Sequence, residues 1–191
     1  MKLHRPTTEL LRGLKGLEIG RGAWNDYGLD ALNVSPRELD ALQHERTPID
    51  IDAFGDNIPV PDNSQDFVFS SHVLEHMPDL IRALREWNRV VRPDGYIVMV
   101  VPLHTARKLD RGKPLTTWEH VMRDYVDAVT IDTHPFDPET DYRGGHYHVF
   151  TPASLTDMIV RVKGIKWDFI GAECPDTKNR NGFWIAYRVN K

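Results

Sequence analysis

The chain has one cysteine in 191 residues, Cys174, so it has no intramolecular disulfide and no cluster of thiolates for a zinc site. A reducing compartment is expected. A basic excess is also lacking: 24 Lys+Arg stand against 28 Asp+Glu, a formal charge of −4. With no surplus of cations to neutralise a phosphate backbone or an anionic lipid, neither nucleic acid nor a membrane is expected as a partner. Long apolar runs are missing too, the best of them, residues 96–103, falling far short of a bilayer. Residues 1–20 carry charges every few positions and no continuous apolar stretch, so no secretory leader is expected and the chain is expected in the cytoplasm. No repeat period or low-complexity tract occurs, and 13 Gly with 13 Pro is ordinary usage, which excludes solenoid, fibrous and disordered classes. A single domain spanning residues 1–191 is expected.

What is present is an alternation of strand and helix signals. Strands are predicted at 16–20, 31–34, 49–52, 66–70, 96–101, 165–169 and 183–189. Helical signals lie at 7–14, 36–43, 78–91, 115–129 and after Thr151-Pro152. The clearest helix has Leu80, Leu84, Trp87 and Val91 at spacings of 4, 3 and 4, and it stops at Arg92-Pro93-Asp94-Gly95. Residues 96–101 form a continuous β-rich apolar run, as expected for a central strand covered on both faces. Helices between such strands imply parallel crossovers, hence an α/β, doubly wound, mostly parallel sheet. In such sheets a ligand lies at the carboxyl ends of the strands, which here are 20–24, Ser35, 52–54, 70–72 and 103–105.

At the first of these ends, Glu18-Ile19-Gly20-Arg21-Gly22 combines glycines that permit a sharp turn and close ligand approach with an acid that is costly to bury alone. By itself a G-x-G is as often a simple turn as a ligand loop. It is joined by Asp52-Ala53-Phe54, by the run 58–76 (IPVPDNSQDFVFSSHVLEH), and by Ala83-Leu84-Arg85-Glu86-Trp87 and Arg92-Pro93-Asp94-Gly95-Tyr96. Together these resemble class I S-adenosylmethionine-dependent methyltransferases, in particular the small-molecule group called type 11. The resemblance covers roughly residues 15–103 and is most specific over 62–95.

The resemblance implies a Rossmann-like sheet with an antiparallel final strand and S-adenosyl-L-methionine as cofactor. It places Glu18, Gly20 and Gly22 beside the methionine part of the cofactor, Asp52, Ala53 and Phe54 at the adenine, and Ser70 and Ser71 along the pocket. A carboxylate accepts from an amine, and Phe54 offers a stacking face. Three departures stand out. The stretch 23–30 is short for a parallel crossover, implying a first helix reduced to a loop, with Trp24 or Tyr27 covering the gap. Ser35 stands where the family has an acid for the ribose hydroxyls, so that either cofactor binding is weak or a nearby acid such as Glu38 or Asp40 substitutes. Arg21 either pairs with Glu18, meets an anionic group, or is solvated.

Methyl transfer needs alignment, exclusion of water and, for a hydroxyl or amine acceptor, a base. Of nine histidines, His104, directly after the fifth strand, is the first candidate for base or substrate anchor, and His72 is the second. Residues 103–149 form a lid or acceptor-binding insertion, in which Trp118 and Tyr142 are lid aromatics or packing. Within it, His120 and Asp124 share a helical face, and His146-Tyr147-His148 places two imidazoles on one side of an extended segment. These suit a divalent ion only if folding brings them together. Capping, lid and surface roles are the ordinary reading, so no metal site is assigned.

The leading expectation is a methyltransferase acting on the oxygen or nitrogen of a small-molecule acceptor. Its pocket is either small or completed by a second subunit in a homodimer. The rival is a non-catalytic member that keeps the scaffold as a binding or interaction module. Ser35 and the short first loop favour the rival, and Glu18, Gly20, Gly22 and Asp52 oppose it.

Overall fold

The computed structural model describes residues 4–22, 27–40, 47–105, 110–135 and 145–191. Six strands form one sheet: β1 (Gly16–Ile19), β2 (Ala31–Val34), β3 (Gln65–Ser71), β4 (Val91–Pro102), β5 (Trp167–Glu173) and β6 (Gly182–Val189). Their order is β2-β1-β3-β4-β6-β5. The first four run parallel, and β6 is antiparallel to both β4 and β5. The chain order reverses between β1 and β3, so the carboxyl ends of these two strands flank the crevice where doubly wound sheets bind ligands.

The strand expected at 49–52 is only a single parallel bridge between Ile51 and Val34. Its carboxylates account for the difference. Asp50 Oδ2 accepts from the Asn33 backbone N–H at 2.7 Å, and Asp52 Oδ1 accepts from the Arg37 backbone N–H at 2.9 Å. Side chains thus take donors that a longer ladder would use, and pairing stops after one residue. The predicted stop at residues 92–95 is a bulge inside β4, with Asp94 at φ 60° and the register shifting between Gln65 and Phe67.

Strand alternation divides the core between two faces. On one, Val68, Ile97, Met99 and Val101 pack against α3 (Leu80–Val90) and α5 (Pro152–Arg161) through Leu84, Trp87, Leu155 and Ile159. On the other, Phe67, Phe69, Val98, Val100, Trp184 and Ala186 pack with Leu10, Leu11 and Leu14 at and beyond the short α1 (Arg5–Leu10) and with Tyr27 and Leu29. The expected loss of the first crossover helix fits this thin layer. Residues 20–22 and 27–30 are not helical, and Tyr27 is fully buried with its ring centroid 4.5 Å from that of Phe69. Trp24 and Tyr142 lie outside the described residues.

The helix expected from Pro78 starts at Leu80, because Asp79 caps it, accepting from the Arg82 backbone N–H at 2.9 Å. Burial pushes the Asp79 carboxyl above its ordinary value, with the nearby Asp56 and Asp124 adding to the Arg82-opposed rise. The folded state therefore binds that proton more tightly than the unfolded chain, and stability attributable to Asp79 falls as pH rises through the window above the unfolded pKa. Asp79→Ala is expected to cost about 1 kcal/mol at neutral pH. Asp79→Asn keeps a capping oxygen without the buried charge and should match or exceed the parent, as read by urea denaturation at pH 7. Equal losses in the two variants would show that the cap is not the source.

Candidate functional site

At the carboxyl ends of β1, β2 and β3 lies a cavity of about 970 Å³. Its first wall is the chain leaving the strands, Gly20 after β1 and Ser35 after β2, followed by Asp52, Ala53 and Phe54. Gly20 adopts φ 66°, and a Cβ there would come within 2.7 Å of Val73 Cγ2, so the turn beside the cavity requires glycine. The Phe54 ring is 37% exposed, which leaves a face available for stacking. Glu38 also lines the cavity, as Ser35 does. The side chain of Asp40 lies outside what is described.

Asp52 is both half-exposed and engaged. Besides accepting from the Arg37 N–H, its Oδ2 lies 3.3 Å from Arg37 Nε, so it holds the start of α2 (Arg37–Asp40) at the cavity rim. Trp87 Nε1 donates to Gly55 O at 2.8 Å and anchors the loop after Phe54 to the core.

The other expected site residues stand behind this wall. Glu18 is buried and accepts from Arg21 Nε at 2.7 Å, while Arg21 also donates to Ala31 O and, through its backbone, to Asn33 Oδ1. Of the readings open for Arg21, pairing with Glu18 is the one found, and the pair locks the β1 turn to β2. Ser71 Oγ is hydrogen-bonded to Tyr27 Oη at 3.2 Å, and Ser70 is buried. Neither serine lines the cavity, nor do Glu18, Gly22 and His104.

The cavity is also lined by His72, Val73, His76 and Met77, together with Arg82, Thr130, Ile131 and Asp132. His72 ends β3 at φ 57°, a conformation uncommon for residues with a Cβ. Its Nδ1 lies 3.8 Å from Glu75 Oε1, which is also 3.7 Å from His76 Nε2 and 3.8 Å from His146 Nε2. His146 Nδ1 in turn meets Asp110 Oδ2 at 2.8 Å, and His76 Nδ1 meets Gly145 O at 3.0 Å. His76 and Glu75 were not singled out from sequence. Their signal was the Leu-Glu-His motif itself, directly after the fourth expected strand.

The late histidines are not surface groups: His134, His146 and His148 are all under 9% exposed. His120 and Asp124, on α4 (Trp118–Val126), are joined by His134 and His148. Burial pushes His148 down to about 3, and the neighbouring His120 adds to this, so its imidazole is neutral. Burial alone would raise the Asp124 carboxyl, but hydrogen bonds with His120 and His134 hold it well below the usual carboxylate range. His146 belongs to the Glu75 group, and the insertion thus feeds two separate histidine–carboxylate groups.

Comparison with known proteins bears on the same residues. Residues 20–99 match the methyltransferase domain family. An uncharacterized methyltransferase of Mycolicibacterium vanbaalenii is 36% identical over 104 residues, covering 49% of this chain and 41% of that protein. The 2-methyl-6-phytyl-1,4-hydroquinone methyltransferase of Synechocystis is 34% identical over 112 residues, covering 53% and 33%. The chain spans less than half the length of these curated relatives. The fold is shared more widely. A SAM-dependent methyltransferase from Methanosarcina mazei superposes with a TM-score of 0.60 at 17% identity, covering 100% of this chain and 99% of the other. The N-methyltransferase NodS of Bradyrhizobium japonicum gives 0.54 at 12%, covering 98% and 92%. The segment that matches the methyltransferase domain family begins at Gly20 and ends within β4, and the whole chain shares its fold with S-adenosylmethionine-dependent methyltransferases of known structure.

Proposed function

We propose that the chain is an enzyme that transfers a methyl group from S-adenosyl-L-methionine to the oxygen or nitrogen of a small acceptor. The observation that carries this reading is the cavity itself, lined both by nucleotide-type groups (Ser35, Glu38, Asp52, Phe54) and by His72 and His76. The cofactor supplies a methyl group on a sulfonium, whose departure needs no acid. The chain's own residues then have two tasks, alignment and proton removal.

Alignment falls to Gly20, whose turn lets the backbone approach the ligand, to Ser35 and Glu38 at the ribose hydroxyls, and to Phe54 and Asp52 at the adenine. Glu18 acts as a positioning residue through Arg21. Gly22, Ser70 and Ser71 support the wall rather than form it. Proton removal is assigned to His72, which lines the cavity with its Nδ1 3.8 Å from Glu75 Oε1. His104, which follows β4, is the alternative base.

A cavity walled partly by residues 130–132 of the insertion fits a small acceptor, and the hydroquinone named for the Synechocystis relative supports that class. Among the described residues no helix is long and apolar enough to cross a membrane. A cytoplasmic location, the absence of nucleic acid partners and a homodimer remain part of this proposal.

The test separates binding from chemistry. His72→Ala is expected to leave S-adenosylhomocysteine binding within about threefold while lowering turnover by about 10²–10⁴-fold, the usual contribution of a positioned base. His104→Ala run in parallel decides between the two histidines, and unchanged turnover in both would remove the base assignment. Absence of S-adenosylhomocysteine binding at millimolar concentration would overturn the enzyme reading in favour of a non-catalytic binding module.

A further inference from the structure

The second histidine–carboxylate group brings three imidazoles around one carboxylate. His120 Nε2 lies 3.0 Å from Asp124 Oδ2 and 3.2 Å from His134 Nε2, and His134 Nε2 lies 3.5 Å from the same oxygen. His148 presents a ring nitrogen within 4.8 Å of the ligand atoms of His120 and Asp124. His134 Nδ1 is 2.8 Å from Pro135 O, and a carbonyl only accepts, so Nδ1 carries the hydrogen. In the neutral ring, Nε2 then offers a lone pair to the centre of the group. This is the arrangement by which metal-binding histidines are oriented: one nitrogen tied to a backbone carbonyl, the other aimed at the ion.

His148 is the second observation. It is 1% exposed, and neither of its ring nitrogens makes a well-formed hydrogen bond among the described residues, although the Met77 backbone lies within reach. A buried imidazole left so poorly satisfied is costly unless something else fills its coordination. The edges of a tetrahedron with metal–ligand distances of about 2.0–2.1 Å measure roughly 3.3–3.4 Å. Three of the six edges, the separations of 3.0, 3.2 and 3.5 Å among His120, Asp124 and His134, bracket that value, while His148 stands farther out, its nitrogen within 4.8 Å of His120 and Asp124 and its ring centroid 6.0 Å from that of His134.

We propose that His120, Asp124 and His134 bind Zn²⁺ and that His148 moves inward to complete a closed, four-ligand site. Three imidazoles and one carboxylate form a donor set suited to this ion, and four protein ligands leave no position for substrate, as in structural sites. Its role follows from placement. Asp124 O accepts from Val129 N, and Thr130 O accepts from His134 N, so the ligands stand at the two ends of the loop whose Thr130, Ile131 and Asp132 line the cavity. The ion clamps that loop to α4 and to the strand-like segment entering α5. The site stands independently of the methyl-transfer reading.

The test uses the whole chain, dialysed against a chelator and titrated with Zn²⁺ or Co²⁺ alone. One Co²⁺ per chain with a tetrahedral visible spectrum, displaced by Zn²⁺ and accompanied by a raised melting temperature, is the expected result. Affinity should fall at least about 100-fold in Asp124→Asn and in His120→Ala, since these remove ligands outright and even supporting partners cost about 10–100-fold. His120 has a side chain 29% exposed, so its loss leaves the fold intact, and circular dichroism of the apo form checks this. No saturable binding below millimolar metal would overturn the proposal. So would parent-like affinity in both variants, or a metal lost on His76→Ala instead, which would place it at Glu75, His76 and His146.

Discussion

Gly20→Val is expected to reduce S-adenosylhomocysteine binding by more than about 100-fold, read by calorimetry, and to lower stability as well. Two effects combine. The residue sits at φ 66°, where a side chain costs roughly 1–2 kcal/mol and a β-branched one more. Its Cβ would also lie 2.7 Å from Val73 Cγ2, so either the turn or Val73 must shift. Because Gly20 and Val73 both line the cavity, any relief of the clash moves the surface that meets the ligand. Gly22 provides the control. It has no positive φ, and a Cβ there would meet nothing within 4 Å, so Gly22→Ala should fold like the parent. Binding retained in Gly20→Val would show that this turn does not approach the cofactor.

Trp87→Ala is expected to cost about 3–5 kcal/mol in urea denaturation, a large share of the 5–15 kcal/mol typical of a domain. Trp87 is completely buried among Leu84, Val91 and the face of the sheet that carries α3, and nothing nearby is free to fill its volume. The same side chain holds Gly55 O, directly behind Phe54. Trp87→Phe therefore separates its two roles. It preserves most of the packing, costs about 1 kcal/mol for the hydrogen bond, and should weaken cofactor binding more than its stability loss implies. If binding is unaffected in Trp87→Phe, the anchor is irrelevant to the site.

What was legible in the sequence was local or periodic. The spacing of Leu80, Leu84 and Trp87 sets α3, and the apolar run at 96–101 sets the core of β4. The motif at 62–95 supplied topology that periodicity alone could not. The third strand was misread because Ile49-Asp50-Ile51-Asp52 alternates as an edge strand should, while the hydrogen bonds of its aspartates to Asn33 and Arg37 carry no pattern along the chain. Four of the nine expected cofactor residues stand behind the cavity wall for a similar reason: a motif marks a neighbourhood, and the side chain's partner decides whether it faces the ligand. Glu18 turns toward Arg21, and Ser71 toward Tyr27. The histidine group was half visible, as a helical i, i+4 pair and an alternating pair. Only the fold could sort His148 to one carboxylate and His146 to another.

The stretch that leads from β1 to Tyr27 has a consequence for how this protein can change. Here the segment that leaves Gly20 at the cavity ends in Tyr27, which seals the second face of the sheet against Phe69 and receives Lys178 over its ring at 3.7 Å. Substitutions that retune the pocket are thereby also core substitutions.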